Sequence, residues 1–239
     1  MTLIRAVTFD LWNTLIIEKD YNEPRVKAIR NALLGEGISK TYDEIMRAHE
    51  VATAQYNRVW AENYCHLTNI ERLNISLGLL GSQLPNDAKA SVVKQFGEVF
   101  IRDPPELNEG AEETIRSLST RVKLGIISDT GLTPGSVIRR FLAERGLLNY
   151  FSTTIFSDEL GYCKPDVRAF KRALGLLGAT PAEAIHVGDL LRTDVAGAKA
   201  AGMKAVWLKV RETERVEGDA PDYIITSLSQ LLEIEEIRV

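Results

Sequence analysis

Short apolar runs rich in β-branched residues recur at Leu3–Phe9, Val122–Ile127, Thr153–Phe156, Ala184–Val187 and Ala205–Leu208. Runs of this length read as strands covered on both faces, the condition of a parallel sheet. Helical spacing fills the intervals between the last four, at Pro134–Arg145, Pro165–Leu177 and Asp194–Ala201. Thr180, Pro181 and Glu183 mark the turn of a helix start ahead of the fourth run. Parallel strands alternating with helices point to a doubly wound α/β sheet. Tyr223–Ile225 adds a short edge strand, and Ser227–Ile237 is expected to close the chain as a helix.

Residues 17–105 break this alternation and show helical periodicity with almost no strand signal. Val26, Ile29 and Leu33 recur at helix spacing after Pro24, and Thr41 with Glu44 forms a capping box ahead of Ile45, Ala48, Ala52, Tyr56 and Val59. Thr68 with Glu71 opens a third helix, and a fourth carries Val92, Phe96, Val99 and Phe100. Asp103, Pro104 and Pro105 then break the helix and lead the chain back. The expected division is an all-helical insertion over 17–105 and a sheet domain built from 1–16 and 106–239. A chain of 239 residues, 45% hydrophobic, can bury both. The similar "LGLLG" runs at Leu77–Gly81 and Leu174–Gly178 each precede a proline, so shared helix-stop chemistry explains them better than a repeat.

Bulk charge narrows the partners. A formal net charge of -4 offers no basic field to hold nucleic acid or an anionic membrane, while small phosphorylated ligands, bound by local geometry, stay open. Cys65 and Cys163 are too few and too far apart for a disulfide framework or a metal clip, which points to reduced thiols. Arg5 and Asp10 interrupt the first apolar run, and no run approaches a membrane span. A cytoplasmic protein is expected; oligomeric state is not legible.

In an open parallel sheet, ligands sit beyond the carboxyl ends of the strands. The polar residues there form a coherent set. The first run delivers Asp10, the second Ser128 and Asp129, the third leads through Ser157 and Asp158 to Lys164, and the fourth delivers Gly188, Asp189 and Asp194. Crowded carboxylates repel one another unless a cation sits among them, and an all-oxygen cluster without His or Cys suits Mg²⁺. Mg²⁺ is commonly completed by substrate phosphate oxygens, for which Ser128 and Lys164 offer a donor and a fixed positive charge. Asp10 is then free to attack phosphorus, forming an aspartyl-phosphate.

This constellation resembles the haloacid dehalogenase-like hydrolase superfamily, over the whole chain and with its motifs in order. The resemblance implies a Rossmann-like core with a helical cap inserted after the first motif. It also implies a Mg²⁺-dependent phosphatase acting on a small phosphorylated metabolite. In "DLWNT", Asp10 is the implied nucleophile and metal ligand, Trp12 lends a backbone carbonyl to the metal, and Thr14 braces the loop. In "IISDT", Ser128 binds the transferring group, and in "CKPD", Lys164 holds both phosphate and nucleophile. In "GDLLRTD", Asp189 binds Mg²⁺ and Asp194 lies in or just behind its shell. Trp12, Asn13 and Asp129 join Ser128 and Lys164 as candidate substrate contacts.

One position departs from the family pattern. Family phosphatases carry a second aspartate two residues after the nucleophile, which serves as acid and base; here it is Trp12. General acid–base help is worth ~10²- to 10⁴-fold, so slow turnover or a preference for good leaving groups is expected. An aromatic residue there also resembles the 2-haloacid dehalogenases, but those lack the acidic fourth motif, and the pair Asp189 and Asp194 would repel an anionic haloacid. The residues also leave open phosphonatase-like chemistry through Lys27, Lys40, Lys89 or Lys94, and a catalytically weak ligand-binding module. Glu18 is a candidate substitute acid. His49, His66 and His186 read as packing or surface residues. Nucleotide-cofactor motifs are absent from the sequence.

Overall fold

The computed structural model describes residues 2–210 and 220–237. Its elements run in the order β1 (Ala6–Phe9), α1 (Asn22–Gly35), α2 (Tyr42–Asn63), α3 (Asn69–Leu79), α4 (Asn86–Arg102), α5 (Ala111–Ser119), β2 (Lys123–Ser128), α6 (Gly135–Glu144), β3 (Phe151–Phe156), α7 (Ser157–Leu160), α8 (Val167–Leu177), β4 (Ala184–Gly188), α9 (Ala196–Ala200), β5 (Lys204–Leu208) and β6 (Tyr223–Ile225). Two compact units result. One comprises Met1–Glu18, Pro105–Asp129 and Leu142–Val239, the other Lys19–Pro104 and Thr130–Phe141. No helix among the described residues is long and apolar enough to cross a membrane.

The sheet unit holds six parallel strands in the order β3-β2-β1-β4-β5-β6. Every residue of β1 and β4 is buried, consistent with helices on both faces of the sheet. One face packs Ile127, Ile155 and Trp207 against Phe170, Leu174 and Ala198. The strand order reverses direction between β1 and β4, where a doubly wound sheet opens its ligand crevice.

Sequence spacing and structure differ in three places. The expected closing helix Ser227–Ile237 is instead two 3₁₀ turns, Leu228–Glu233 and Glu235–Ile237. Leu228, Leu231, Ile234 and Ile237 are all buried, and a spacing of three stays on one face only at three residues per turn. The helix expected from Asp194 begins as a wider π turn, Leu191–Val195, before α9. Finally, Thr130–Phe141, which sequence spacing assigns to the sheet domain, packs with the helices. Leu132 joins their core and Phe141 meets Phe100 edge-on at 5.1 Å. Gly97 permits this approach, since a Cβ there would lie 2.9 Å from Val137 Cγ2.

The helical unit is organised by amphipathic faces. Val26, Ile29 and Leu33 of α1, Ile45 and Ala48 of α2, Leu73 and Leu77 of α3, and Val92 and Phe96 of α4 form one buried cluster. Capping boxes of Thr41 with Glu44 and Thr68 with Glu71 satisfy the exposed amides at the starts of α2 and α3.

Candidate active site at the carboxyl ends of the strands

The Asp10 amide donates to Val187 O of β4 at 2.8 Å, so the end of β1 is stitched to the strand that delivers Asp189. One carboxylate oxygen from each of Asp10, Asp189 and Asp194 lies within 4.8 Å of the others, and all three residues are buried. Lys164, also buried, bridges two of them, its Nζ donating to Asp10 Oδ1 at 2.5 Å and to Asp194 Oδ1 at 2.7 Å. No side chain among the described residues donates to the Asp189 carboxylate; its backbone carbonyl is held by Trp207 Nε1 at 2.9 Å.

Asp194 is the most constrained of the three. Its Oδ2 accepts the Leu190 amide at 3.0 Å, and its Oδ1 meets His186 Nε2 at 3.1 Å as well as Lys164. The π turn that carries it folds the carboxylate back over Gly188, where a Cβ would stand 2.2 Å from Asp194 Cγ. Glycine is therefore required by close approach rather than by backbone angle. His186 Nδ1 faces Thr8 Oγ1 at 2.9 Å, and Phe170 packs edge-on against the ring at 5.1 Å. The packing role read from the sequence holds, and His186 is in addition hydrogen-bonded into the carboxylate cluster. The usable signal was that Thr8 and His186, two polar residues inside apolar strands, are register partners on β1 and β4.

The turn after β1 fixes the remaining candidates. The Leu15 and Ile16 amides both donate to Leu11 O, and Asn13 adopts a positive φ of 54° that asparagine tolerates better than most residues. Asn13 is tied to Glu18 in both directions, at 3.2 and 3.1 Å, and Glu18 is exposed. Trp12 is half-buried, with its Nε1 donating to Asp129 O at 3.0 Å. The Asp129 carboxylate accepts the Lys164 amide at 3.0 Å, which anchors the lysine-bearing loop to the end of β2. The hydroxyls of Thr14 and Ser128 are buried without a hydrogen-bond partner. Any bracing by Thr14 thus comes from its backbone and packing rather than its hydroxyl.

Charge at this site is unbalanced. Burial, reinforced by Asp194 against the pull of Lys164, raises the Asp10 carboxyl to about 7. Burial together with Asp10 and Asp194 raises Asp189 to about 8. For Asp194 burial acts in the same direction, yet Lys164 and His186 outweigh it and hold the group at about 2. Burial opposes the Lys164 charge, but Asp10, Asp194 and Asp129 together raise it well above the ordinary lysine range. Burial lowers His186, which leaves its ring neutral near neutral pH. Three carboxylates thus surround one ammonium group. An all-oxygen donor set with three carboxyl groups to one ammonium, beside a strand β2 that ends at the buried Ser128 hydroxyl, fits a hard divalent cation accompanied by an oxyanion.

Comparison with known proteins gives a consistent picture. The family described as haloacid dehalogenase-like hydrolase matches residues 4–202. A glyceraldehyde 3-phosphate phosphatase of Pyrococcus furiosus is 30% identical over 245 residues, covering 99% of this chain and 95% of the relative. Among solved structures, a HAD phosphatase from Thermococcus onnurineus is 27% identical with a TM-score of 0.67, covering 97% of each chain. A 2-haloacid dehalogenase from Pseudomonas syringae pv. Tomato DC3000 is 25% identical with a TM-score of 0.71, again covering 97% of each.

Proposed function

The chain belongs to the haloacid dehalogenase-like hydrolase family, and on that premise we propose that it is a Mg²⁺-dependent phosphatase of small phosphorylated metabolites, acting through an aspartyl-phosphate on Asp10. The observation that carries this reading is the buried cluster of three carboxyl groups around one lysine, with the Ser128 hydroxyl at the end of the neighbouring strand lacking a partner among the described residues. Asp10, Asp189 and Asp194, with the Trp12 carbonyl, are the residues that would hold Mg²⁺. Bound there, the cation would neutralise the carboxylates and the phosphate oxygens.

Asp10 then attacks phosphorus, the ester oxygen departs with its bonding pair, and the phosphoryl group is left on the carboxylate. Ser128 donates its hydroxyl hydrogen to a non-bridging phosphate oxygen, and Lys164 neutralises charge that builds there in the transition state. Asp194 keeps Lys164 beside the nucleophile, and His186 and the Leu190 amide keep Asp194 in place. Water attack on the phosphorus of the aspartyl-phosphate releases phosphate and restores Asp10. The Trp12 side chain offers no carboxyl to protonate the leaving oxygen or to activate that water, so good leaving groups react best.

The rival reading, displacement of halide from a 2-haloacid, draws support from the aromatic Trp12 and from the dehalogenase likeness. Asp189 and Asp194 weigh against it, because in a metal-free site these carboxyl groups, once ionised, would repel an anionic haloacid with no cation to offset them. Phosphate release from aryl and acyl phosphates, measured with and without Mg²⁺ beside halide release from 2-chloropropionate, separates the two, with Asp10→Asn as the blank. Metal-dependent phosphate release that vanishes in the blank is the expected result. Metal-independent halide release would overturn it, and Mg²⁺ binding without turnover of either kind would mark a binding module.

A further inference from the structure

The helical unit buries two guanidinium groups that have no counter-ion among the described residues. Arg25 of α1 and Arg72 of α3 are both buried, and among the described residues neither has a carboxylate within ion-pairing distance. Arg25 Nε donates to Phe96 O at 3.3 Å and Nη2 to Thr133 Oγ1 at 2.9 Å. Arg72 lies over the Tyr56 ring at 4.3 Å, its Nη2 reaches Thr53 Oγ1 at 3.3 Å, and its Nε is buried without a partner. Asp20 is the acidic group felt by Arg25, but its carboxylate accepts the Asn22 amide at 2.7 Å and is exposed.

The two charges feel each other. Burial and then Arg72 lower Arg25 to about 9, and burial lowers Arg72 to about 10, so both stay charged at neutral pH. Burial, Arg72 and Arg25 also lower the buried His49 to about 4, so it brings no added charge, and its Nε2 pairs with Asn22 Oδ1 at 3.1 Å. Bringing two like charges out of water without an anion is costly, and a buried N–H with no acceptor adds to that cost. An aromatic face offsets part of the charge at Arg72 but accepts nothing from its Nε. A bound oxyanion would satisfy both requirements, because the guanidinium fork matches carboxylate and phosphate geometry.

We propose that the helical unit carries a binding site for a small oxyanion, a carboxylate or phosphate group, held by the guanidinium groups of Arg25 and Arg72. The site itself stands independently of the phosphatase reading; only the choice between a free anion and a second anionic group of a phosphate-ester substrate rests on that reading.

The test uses the full chain without divalent metal, with sulfate and glycolate as probes in isothermal titration calorimetry. Both anions are expected to bind wild type and Ser128→Ala alike. Arg25→Gln and Arg72→Gln should each weaken binding about tenfold or more, and Arg72→Lys should recover part of it by restoring charge without the fork. Absence of binding, or binding lost in Ser128→Ala and kept in the arginine variants, would overturn the site. Should an arginine variant fail to fold, the Arg72 Nε–H resonance of the wild type decides: it shifts as sulfate is added, and no shift contradicts the proposal. A kinetic arm assigns the source. If Arg72→Gln raises KM for a phosphate ester that also carries a carboxylate but not for a plain aryl phosphate, the anion belongs to the substrate. If sulfate alters turnover of both esters equally, it is a separate effector.

Discussion

Trp12 and His186 are the residues on which the chemistry of this site turns. Trp12 stands two residues after Asp10, where the family resemblance places an acid–base carboxylate, and its indole donates to Asp129 O. Trp12→Asp is expected to raise turnover of alkyl phosphates by about 10²-fold and of aryl phosphates by a smaller factor, because both gain a base for hydrolysis of the aspartyl-phosphate while only poor leaving groups also need the proton. Steady-state kinetics on a leaving-group series checks this; an equal gain on both would remove the missing acid as the explanation. His186 is hydrogen-bonded to Asp194, which holds Lys164, so its proposed role is positioning. His186→Leu should lower kcat about tenfold with little change in KM, while His186→Gln, which keeps a donor toward Asp194, should recover much of the loss. Asp10 and Asp189 stood out as candidates because each is polar where an apolar strand ends, while Lys164 and Asp194 stood out through the motifs in the loops that follow β3 and β4. His186 was not, because a histidine inside a strand looks like core until its register partner Thr8 is known.

At the scale of elements, the site depends on close packing between backbone and side chain. Gly188 ends β4 directly beneath the Asp194 carboxylate, so Gly188→Ala must displace that group and with it Lys164. Loss of most activity in a folded variant is expected, measured by turnover together with circular dichroism. Gly197 on α9 faces Phe170 of α8, where a Cβ would stand 2.4 Å from Cε2. Phe170 in turn packs on His186, so Gly197→Ala should cost about 1–3 kcal/mol of stability and also reduce kcat. Denaturant unfolding and kinetics on the same variant test that link. Strand–helix alternation made the sheet readable in advance, and the capping boxes located α2 and α3. The π turn at Leu191–Val195 and the 3₁₀ turns at the chain end were not readable as such, since the side-chain contacts that select turn width are long-range.

For the molecule as a whole, buried charge sets the pH response. A carboxyl raised in the folded state binds its proton more tightly folded than unfolded. Asp10 and Asp189, raised from 3.8 to about 7 and about 8, therefore make the metal-free protein lose stability as pH climbs from about 4 to about 8. Asp194, held at about 2, contributes in the opposite sense above its unfolded value and loses that contribution only as pH falls toward 2. Lys164, raised, keeps its contribution through this range and loses it only as strongly alkaline pH passes its folded value. Mg²⁺ favours the ionised carboxylates, so its stabilising effect on the melting temperature should be larger near pH 8 than near pH 5. An equal effect at both would place the cation elsewhere. The packing of Thr130–Phe141 with the helices was illegible in sequence for a related reason: its partners, Phe96, Gly97 and Phe100, lie far away along the chain.

On the proposed mechanism no carboxyl at position 12 activates water, so with an aryl phosphate, whose leaving group needs no proton, breakdown of the aspartyl-phosphate would be the slow step and the covalent species should accumulate during turnover. Mass spectrometry of protein quenched in acid during turnover with Mg²⁺ tests this most directly. One added phosphoryl group on the peptide containing Asp10, absent without Mg²⁺ and absent in Asp10→Asn, is the expected result. Turnover with a phosphoryl group on a different residue, or a carboxyalkyl adduct on Asp10 after exposure to 2-chloropropionate, would contradict it.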